Sequence, residues 1–143
     1  MNRAFIATAF VMLFIIPSFL FAECLNYEPE SVLLTGKIIR KTFPGRPNYE
    51  SIKGGDEPET YWILVLAEPL CVNGKKDKNG KQLYFPESNV QQVQLVFMGN
   101  EYQTHKNLVG KNVIVRGSLF PMQTGHHHTN VLITVKELRE HKK

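Results

Sequence analysis

The histidine triplet His126–His128 holds the side chains best suited to chemistry in this sequence. It lies in the stretch "GHHHTN", directly before a strand-like run. Because side chains alternate along an extended backbone, we expect His126 and His128 to share one face and His127 to point away. Two imidazoles on one face provide part of a zinc or copper site, since a structural site needs four ligands and a catalytic site three.

Other residues would have to complete such a metal site. The candidates are His105, Asp56, Glu57 and Glu59. All of them are distant in sequence from the triplet, and no CxxC or HExxH pattern accompanies it. The alternative is an ordinary polar loop, in which one histidine hydrogen-bonds the backbone, one packs on an aromatic ring and one is solvated. We therefore predict no cofactor, with zinc or copper as the alternative.

A second set of candidates lies in residues 43–59, which contain three prolines, three glycines and four acidic residues. This composition predicts a long surface loop. Within it, an exposed Tyr49 would suit contact with a sugar or a peptide. Asp56 is a second candidate ligand-binding residue, although we expect a solvated acidic loop or a latch onto a nearby cation. Asp56 could also cap a turn after the two glycines before it.

The sequence contains no recognisable catalytic set. It has no serine elbow, no phosphate-cradling glycine loop and no dinucleotide fingerprint. We predict no catalytic residue, and a binding module is favoured over an enzyme.

The elements that would position these residues are mainly strands. Gly36, inside the first predicted strand, is typical of a bulge or a sharp coil. A short helix is predicted within residues 101–108, and residues 71–85 are predicted to form an extension, as a small hairpin of its own. The predicted strands are residues 31–42, 61–68, 90–98, 112–120 and 131–135.

Five strands with a short helical connection between the third and fourth predict an all-β fold. We expect a small five-stranded OB-like Greek-key barrel that is partly open, with a different β-sandwich as the structural alternative. In such a barrel, residues 121–130 connect the last two strands. Loops in this position often face ligands.

The N-terminus predicts export. Arg3 precedes an apolar run that ends in the small residue Ala22, which is typical of a secretory signal peptide over residues 1–22. An uncleaved membrane anchor is the alternative, because the run approaches the length that spans a bilayer. A lipoprotein is disfavoured, since the charged Glu23 directly precedes the cysteine. Cleavage would leave one domain, residues 23–143, in the periplasm or outside a bacterium, with no membrane span.

The charge and the cysteines agree with export. A formal net charge of +4 is too small for the dense cationic surface of a nucleic-acid binder, so we expect no nucleic-acid partner. Cys24 and Cys71 are the two cysteines. In an oxidising compartment we expect them to form a disulfide, with two free thiols as the alternative.

Several motifs resemble a known family. The stretch "FPGRPNYES", the proline shortly before Cys71 and the "GSLF…TGHHHT" segment are similar to an uncharacterised domain-of-unknown-function family of exported bacterial proteins, number 4431. The likeness extends from about residue 32 to residue 136, with departures at Arg46 and Leu70. The resemblance implies an exported location and an OB-like core, and it supplies no activity.

These observations predict an exported, non-catalytic binding module. Its partner would be a cell-envelope protein or glycan, recognised through loops 43–59 and 121–130. A metal-binding protein or metal-dependent enzyme that uses His126 and His128 is one alternative. A purely structural part of an envelope assembly is another.

Overall fold

The computed structural model of this protein describes residues 23–142. The predicted signal peptide, residues 1–22, lies outside the described residues. In the described part of the chain, no helix has the length and apolar character needed to cross a membrane. The elements are β1 (Val32–Pro44), β2 (Pro58–Val72), β3 (Lys75–Lys76), β4 (Gln82–Tyr84), β5 (Glu87–Val96), α1 (Glu101–Thr104), a 3-10 turn (Lys106–Leu108), β6 (Asn112–Pro121) and β7 (Val131–Glu140).

The five long strands form a closed barrel in the order β1-β2-β5-β7-β6. Their pairings are antiparallel except between β5 and β7, which run parallel over Gln94–Val96 and Leu132–Thr134. With the short α1 between β5 and β6, this arrangement confirms the OB-like barrel. The prediction of a partly open barrel was wrong, because the parallel β5–β7 pairing closes the gap.

The strands are longer than their apolar runs indicated. β2 continues past Pro69 to Val72, since a shift of register between Val65 and Leu70 accommodates the proline. β7 continues to Glu140 because β6 pairs with it along its whole length. Hydrogen bonding to a neighbouring strand therefore extends both strands into polar sequence.

Glycine permits the close approach of strands inside the barrel wall. A Cβ atom on Gly36 would collide with the carbonyl oxygen of Val65 on β2. A Cβ atom on Gly117 would collide with the carbonyl oxygen of Thr134 on β7. The predicted bulge at Gly36 was wrong, because β1 keeps its register through this residue with both β2 and β6, and crowding against β2 explains the glycine instead. Inside the wall lie the fully buried side chains Ile38, Leu64, Val93, Leu95, Val113, Val115, Leu119 and Ile133.

Two further features confirm predictions from the sequence. Cys24 and Cys71 form a disulfide that joins the N-terminal segment to β2. Beside it, the N–H of Leu25 donates to the carbonyl of Cys71 at 2.9 Å, and the N–H of Asn73 donates to the carbonyl of Leu25 at 2.8 Å. Strands β3 and β4 form the separate small hairpin expected between residues 71 and 85.

Candidate functional site

The β1–β2 loop (residues 45–57) and the β6–β7 loop (residues 122–130) meet on the outer side of the barrel wall. We call the surface where they meet the loop face. It comprises Phe43, Tyr49, Glu59, Tyr61, His126 and His128. The structure thus brings together three of the four predicted ligand-binding residues, and the fourth, Asp56, bonds the backbone on both sides of Tyr49 instead of joining this surface.

Gln94 on β5 holds the β6–β7 loop against the barrel. Its side chain is 2% exposed. Its amide nitrogen donates to the carbonyl of His126 at 2.9 Å, and its amide oxygen accepts from the N–H of His128 at 2.7 Å. The backbone N–H of Gln94 donates to the hydroxyl of Thr129 at 2.9 Å. One buried side chain therefore fixes the backbone on both sides of the middle histidine.

His126 lies at the centre of the loop face. Its Nδ1 is 2.8 Å from Oε2 of Glu59, and because a carboxylate only accepts, Nδ1 donates. The hydroxyl of Tyr61 donates to the same carboxylate oxygen at 2.8 Å. On the other edge of the imidazole ring, Nε2 is 3.3 Å from the hydroxyl of Tyr49. Glu59 and Tyr61 on β2 therefore orient His126 toward Tyr49.

These contacts shift the pKa values of Glu59 and Tyr61. The hydrogen bond from His126, and after it that from Tyr61, lowers the pKa of the Glu59 carboxyl group. Burial raises the pKa of the Tyr61 hydroxyl, and the hydrogen bond to Glu59 adds to that effect. Glu59 is therefore a carboxylate and Tyr61 a neutral donor at neutral pH.

Tyr49 reaches this position through an uncommon backbone conformation. Its φ is 59°, in the left-handed region that bulky residues rarely adopt. The N–H of Tyr49 donates to the carbonyl of Gly45 at 2.8 Å. The ring of Tyr49 meets that of His126 edge to face, with 5.4 Å between centroids. A Cβ atom on Gly125 would lie 3.1 Å from the Tyr49 ring, so a side chain there would crowd it.

Asp56 is the residue that holds the β1–β2 loop in shape. It is 4% exposed. Its carboxylate accepts from the backbone N–H groups of Asn48, Glu50 and Ser51 at 2.8–2.9 Å. Hydrogen bonds from these three groups lower the pKa of the Asp56 carboxyl group. The expectation of a solvated acidic loop was wrong at this position, because the loop folds around Asp56 and the carboxylate satisfies three donors that flank Tyr49.

The other two histidines have structural contacts. The His128 ring stacks on Phe43, with 4.1 Å between centroids and an interplanar angle of 4°. His127 lies on the opposite side, where its Nδ1 accepts from the backbone N–H of Gln123 at 2.9 Å and its ring meets Phe120. The predicted alternation is confirmed, since both His126 and His128 contact Tyr61. Burial lowers the pKa of His127 and of His128.

The donors for a metal ion are limited on this surface. Among residues 23–142, no group of three histidine, cysteine, aspartate or glutamate side chains is arranged to hold a metal. Nδ1 of His126 is bonded to Glu59, and the His128 ring is stacked. His105 contacts Phe97 instead of the triplet. Zinc or copper binding by His126 and His128 stays a prediction.

Sequence reasoning missed Gln94 as a support of the loop face. It named Tyr61 as a candidate aromatic residue without a role, and it gave Phe43 and Glu59 no role on this surface beyond their place in loop 43–59 and the listing of Glu59 as a distant metal ligand. Glu59 and Tyr61 alternate on β2, and Glu59 lies opposite Phe43 on β1. That alternation in the sequence could have indicated that Glu59 and Tyr61 share one face of a strand. The role of Gln94 had no local signal, because a polar residue inside a strand is ordinarily read as solvent-facing.

A comparison with known protein families gives a match to the second half of the barrel. Residues 92–139 match a domain of unknown function, DUF4431. The match runs from the middle of β5 through β6 and the histidine loop into β7. It confirms the resemblance noted from the sequence over this part of the chain, and its description assigns no activity. No curated protein matches the chain.

Proposed function

We propose that this protein is an exported, non-catalytic binding module. It recognises a cell-envelope protein or glycan with the loop face, through loops 43–59 and 121–130. The observation that carries the proposal is the contact between two separate loops. Tyr49 of the β1–β2 loop meets His126 of the β6–β7 loop, and Glu59 on β2 bonds His126, which gives one partly exposed polar and aromatic surface.

Rigidity of the loop face supports binding. A bulky residue in the left-handed region costs about 1–3 kcal/mol, and such a conformation persists where the surroundings impose it. Here Asp56 satisfies the backbone on both sides of Tyr49, and Gln94 fixes the backbone beside His126. A surface ordered before contact loses less conformational entropy when a partner binds.

The exposed groups suit a partner that offers both hydrogen bonds and an apolar face. The His126 side chain is 40% exposed and that of Glu59 is 21% exposed. Tyr49 adds a ring and a hydroxyl, a combination enriched at binding surfaces because one end is apolar and the other polar. A sugar ring or a peptide segment has this mixed character.

The disulfide supports the proposed location. Cys24 and Cys71 are paired, and such bonds persist in the periplasm or outside the cell, whereas the cytosol keeps thiols reduced.

Capture from a bacterial envelope extract tests the proposal. The immobilised protein is compared with Tyr49→Ala and His126→Ala, and Met98→Ala is the control, because Met98 is exposed at the end of β5 and belongs to neither loop. We expect both loop variants to lose the captured protein or glycan and Met98→Ala to retain it. Each variant is checked for unchanged thermal unfolding. Folded loop variants that capture as well as the unmodified protein would refute the proposal.

A further inference from the structure

Strand β1 extends beyond its partner on one edge. Its pairing with β6 ends at Lys37 and Asn112. The last hydrogen bonds on this edge run from the N–H of Ile38 to the carbonyl of Lys111 at 3.1 Å and from the N–H of Gly110 to the carbonyl of Ile38 at 2.8 Å. On its other edge β1 stays paired with β2 as far as Pro44. Residues 39–43 therefore form an edge strand on an otherwise closed barrel.

The backbone groups on this free edge belong to Arg40 and Thr42. In an antiparallel strand, successive residues direct their N–H and C=O groups to opposite edges. The N–H and C=O groups of Ile38 both point toward β6. The register of β1 with β2 continues without a shift beyond Ile38, so the N–H and C=O groups of Arg40 and Thr42 point to the same edge as those of Ile38. The hydroxyls of Thr42 and Thr60 are 2.8 Å apart, as expected for a pair whose backbones are not bonded to each other.

Within residues 23–142, neither Arg40 nor Thr42 has a strand partner on this edge. Both residues are exposed. Two N–H and two C=O groups therefore face outward in the spacing of a strand, which is the arrangement that an added strand requires.

The positive charge along this edge favours the addition of an acidic strand. Lys37, Arg40 and Lys41 are exposed, and in the described chain none of the three forms a salt bridge. The Lys41 ammonium group lies 5.2 Å from the centre of the Phe43 ring. A second copy of this chain would bring these cations against the same cations, which disfavours self-pairing. An acidic strand would place opposite charges across the new pairing.

We propose that residues 39–43 of β1 bind an extended acidic segment of a partner protein by strand addition. The segment pairs with the N–H and C=O groups of Arg40 and Thr42. Because successive side chains point to opposite faces of a strand, its carboxylates lie across from Arg40 on one face and from Lys37 and Lys41 on the other. This inference is independent of the proposed function, because it uses the free edge of β1 and none of the side chains of Tyr49, Glu59 or His126.

Amide hydrogen exchange measured by NMR tests the proposal. The probe is a synthetic hexapeptide of the sequence Val-Glu-Glu-Glu-Glu-Val, which presents carboxylates on both faces of an extended strand. In the free protein we expect the amides of Arg40 and Thr42 to exchange faster than those of Ile39 and Lys41, which are bonded to β2. Saturating peptide should slow Arg40 and Thr42 by at least about tenfold and leave the other two unchanged. Protection of Arg40 and Thr42 in the absence of peptide would overturn the proposal.

Two controls separate backbone pairing from charge. A hexapeptide of the same sequence with every amide N-methylated keeps its carboxylates and loses its donors, so we expect no protection; equal protection would overturn strand addition.

The double variant Arg40→Glu/Lys41→Glu should lose binding, whereas Lys136→Glu, which changes an exposed lysine on β7, should retain it. Tyr49→Ala should bind the peptide normally, whatever the outcome of the envelope capture. Protection that rises with protein concentration alone would instead identify a second copy as the occupant and refute the proposal.

Discussion

Asp56 shows how one buried carboxylate can organise a loop from within. The sequence placed it among acidic and glycine residues, which are typical of a solvated turn. The loop instead closes around the carboxylate, and three backbone donors bond to it. Composition could not predict this burial, because it depends on the path of the chain between β1 and β2. Turn capping by Asp56, which the sequence also allowed, describes its role better.

Replacement of Asp56 by alanine should disorder the β1–β2 loop. The N–H groups of Asn48, Glu50 and Ser51 lose their acceptor, and the left-handed conformation of Tyr49 loses its support. We expect faster amide exchange at these three residues and a lower melting temperature. Glu57→Ala is the control, because Glu57 is the exposed carboxylate next in sequence. The same exchange rates in both variants would contradict this role.

Acidification should loosen the β6–β7 loop. Burial lowers the pKa of His128 below its ordinary value of 6.5, so the folded state favours the neutral ring. Stability from this source is complete above pH 6.5 and decreases as the pH falls below it. Glu59 acts in the same direction at lower pH, because its pKa is lowered from 4.5 and its stabilising effect is lost as the carboxylate is protonated.

Urea unfolding at a series of pH values measures this dependence. We expect stability to fall between about pH 7 and pH 5 and the decrease to be smaller in His128→Phe, which keeps an aromatic ring against Phe43. His127, whose pKa burial also lowers, accounts for the remaining slope in that variant. An unmodified protein whose stability rises on acidification in this range would contradict the assignment.

At the scale of elements, the sequence predicted the strands well and their ends poorly. Alternating and continuous apolar runs located all five barrel strands, because apolar burial produces those patterns. The ends depend on hydrogen bonds to neighbouring strands, which explains why Phe43 and Glu59 were predicted as loop residues and instead pair across β1 and β2. The approach of His126 to Glu59 follows from that register and from Gln94, so no local pattern could reveal it.

Gln94→Ala tests how the β6–β7 loop is attached to the barrel. The change leaves the carbonyl of His126 and the N–H of His128 without their partner, and the loss of each partly buried hydrogen bond costs about 0.5–1.5 kcal/mol. We expect a loss of unfolding free energy of at least about 1 kcal/mol in urea. Gln92→Ala is the matched control, since Gln92 is exposed on the same strand. Equal stability of the two variants would show that the loop is held by other contacts.

At the scale of the whole molecule, the disulfide joins the N-terminal segment to the far end of β2. The two cysteines are 47 residues apart. Closing a loop of this length restricts the unfolded chain and stabilises the fold by up to about 4 kcal/mol. The pairing was predictable from two cysteines in a chain that its N-terminus predicts to be exported, whereas the bonds of Leu25 and Asn73 beside it were not.

Reduction should therefore lower stability without changing the barrel. We expect a strong reductant, or the double variant Cys24→Ser/Cys71→Ser, to lower the midpoint of urea unfolding while the far-ultraviolet circular dichroism of the native state stays that of a β protein. The double variant also serves as the control, because the reductant should not affect it further. An unchanged midpoint after complete reduction would contradict a stabilising role.

The β1–β2 and β6–β7 loops should form one ordered surface in the absence of any partner. Nuclear Overhauser measurements on the free protein in solution test it most directly. The ring protons of His126 should show cross-peaks to the ring protons of both Tyr49 and Tyr61, since the hydroxyls of both tyrosines lie 3.2–3.3 Å from its nitrogens. Absence of both sets of cross-peaks, with His126 shifts typical of an unstructured chain, would contradict the account.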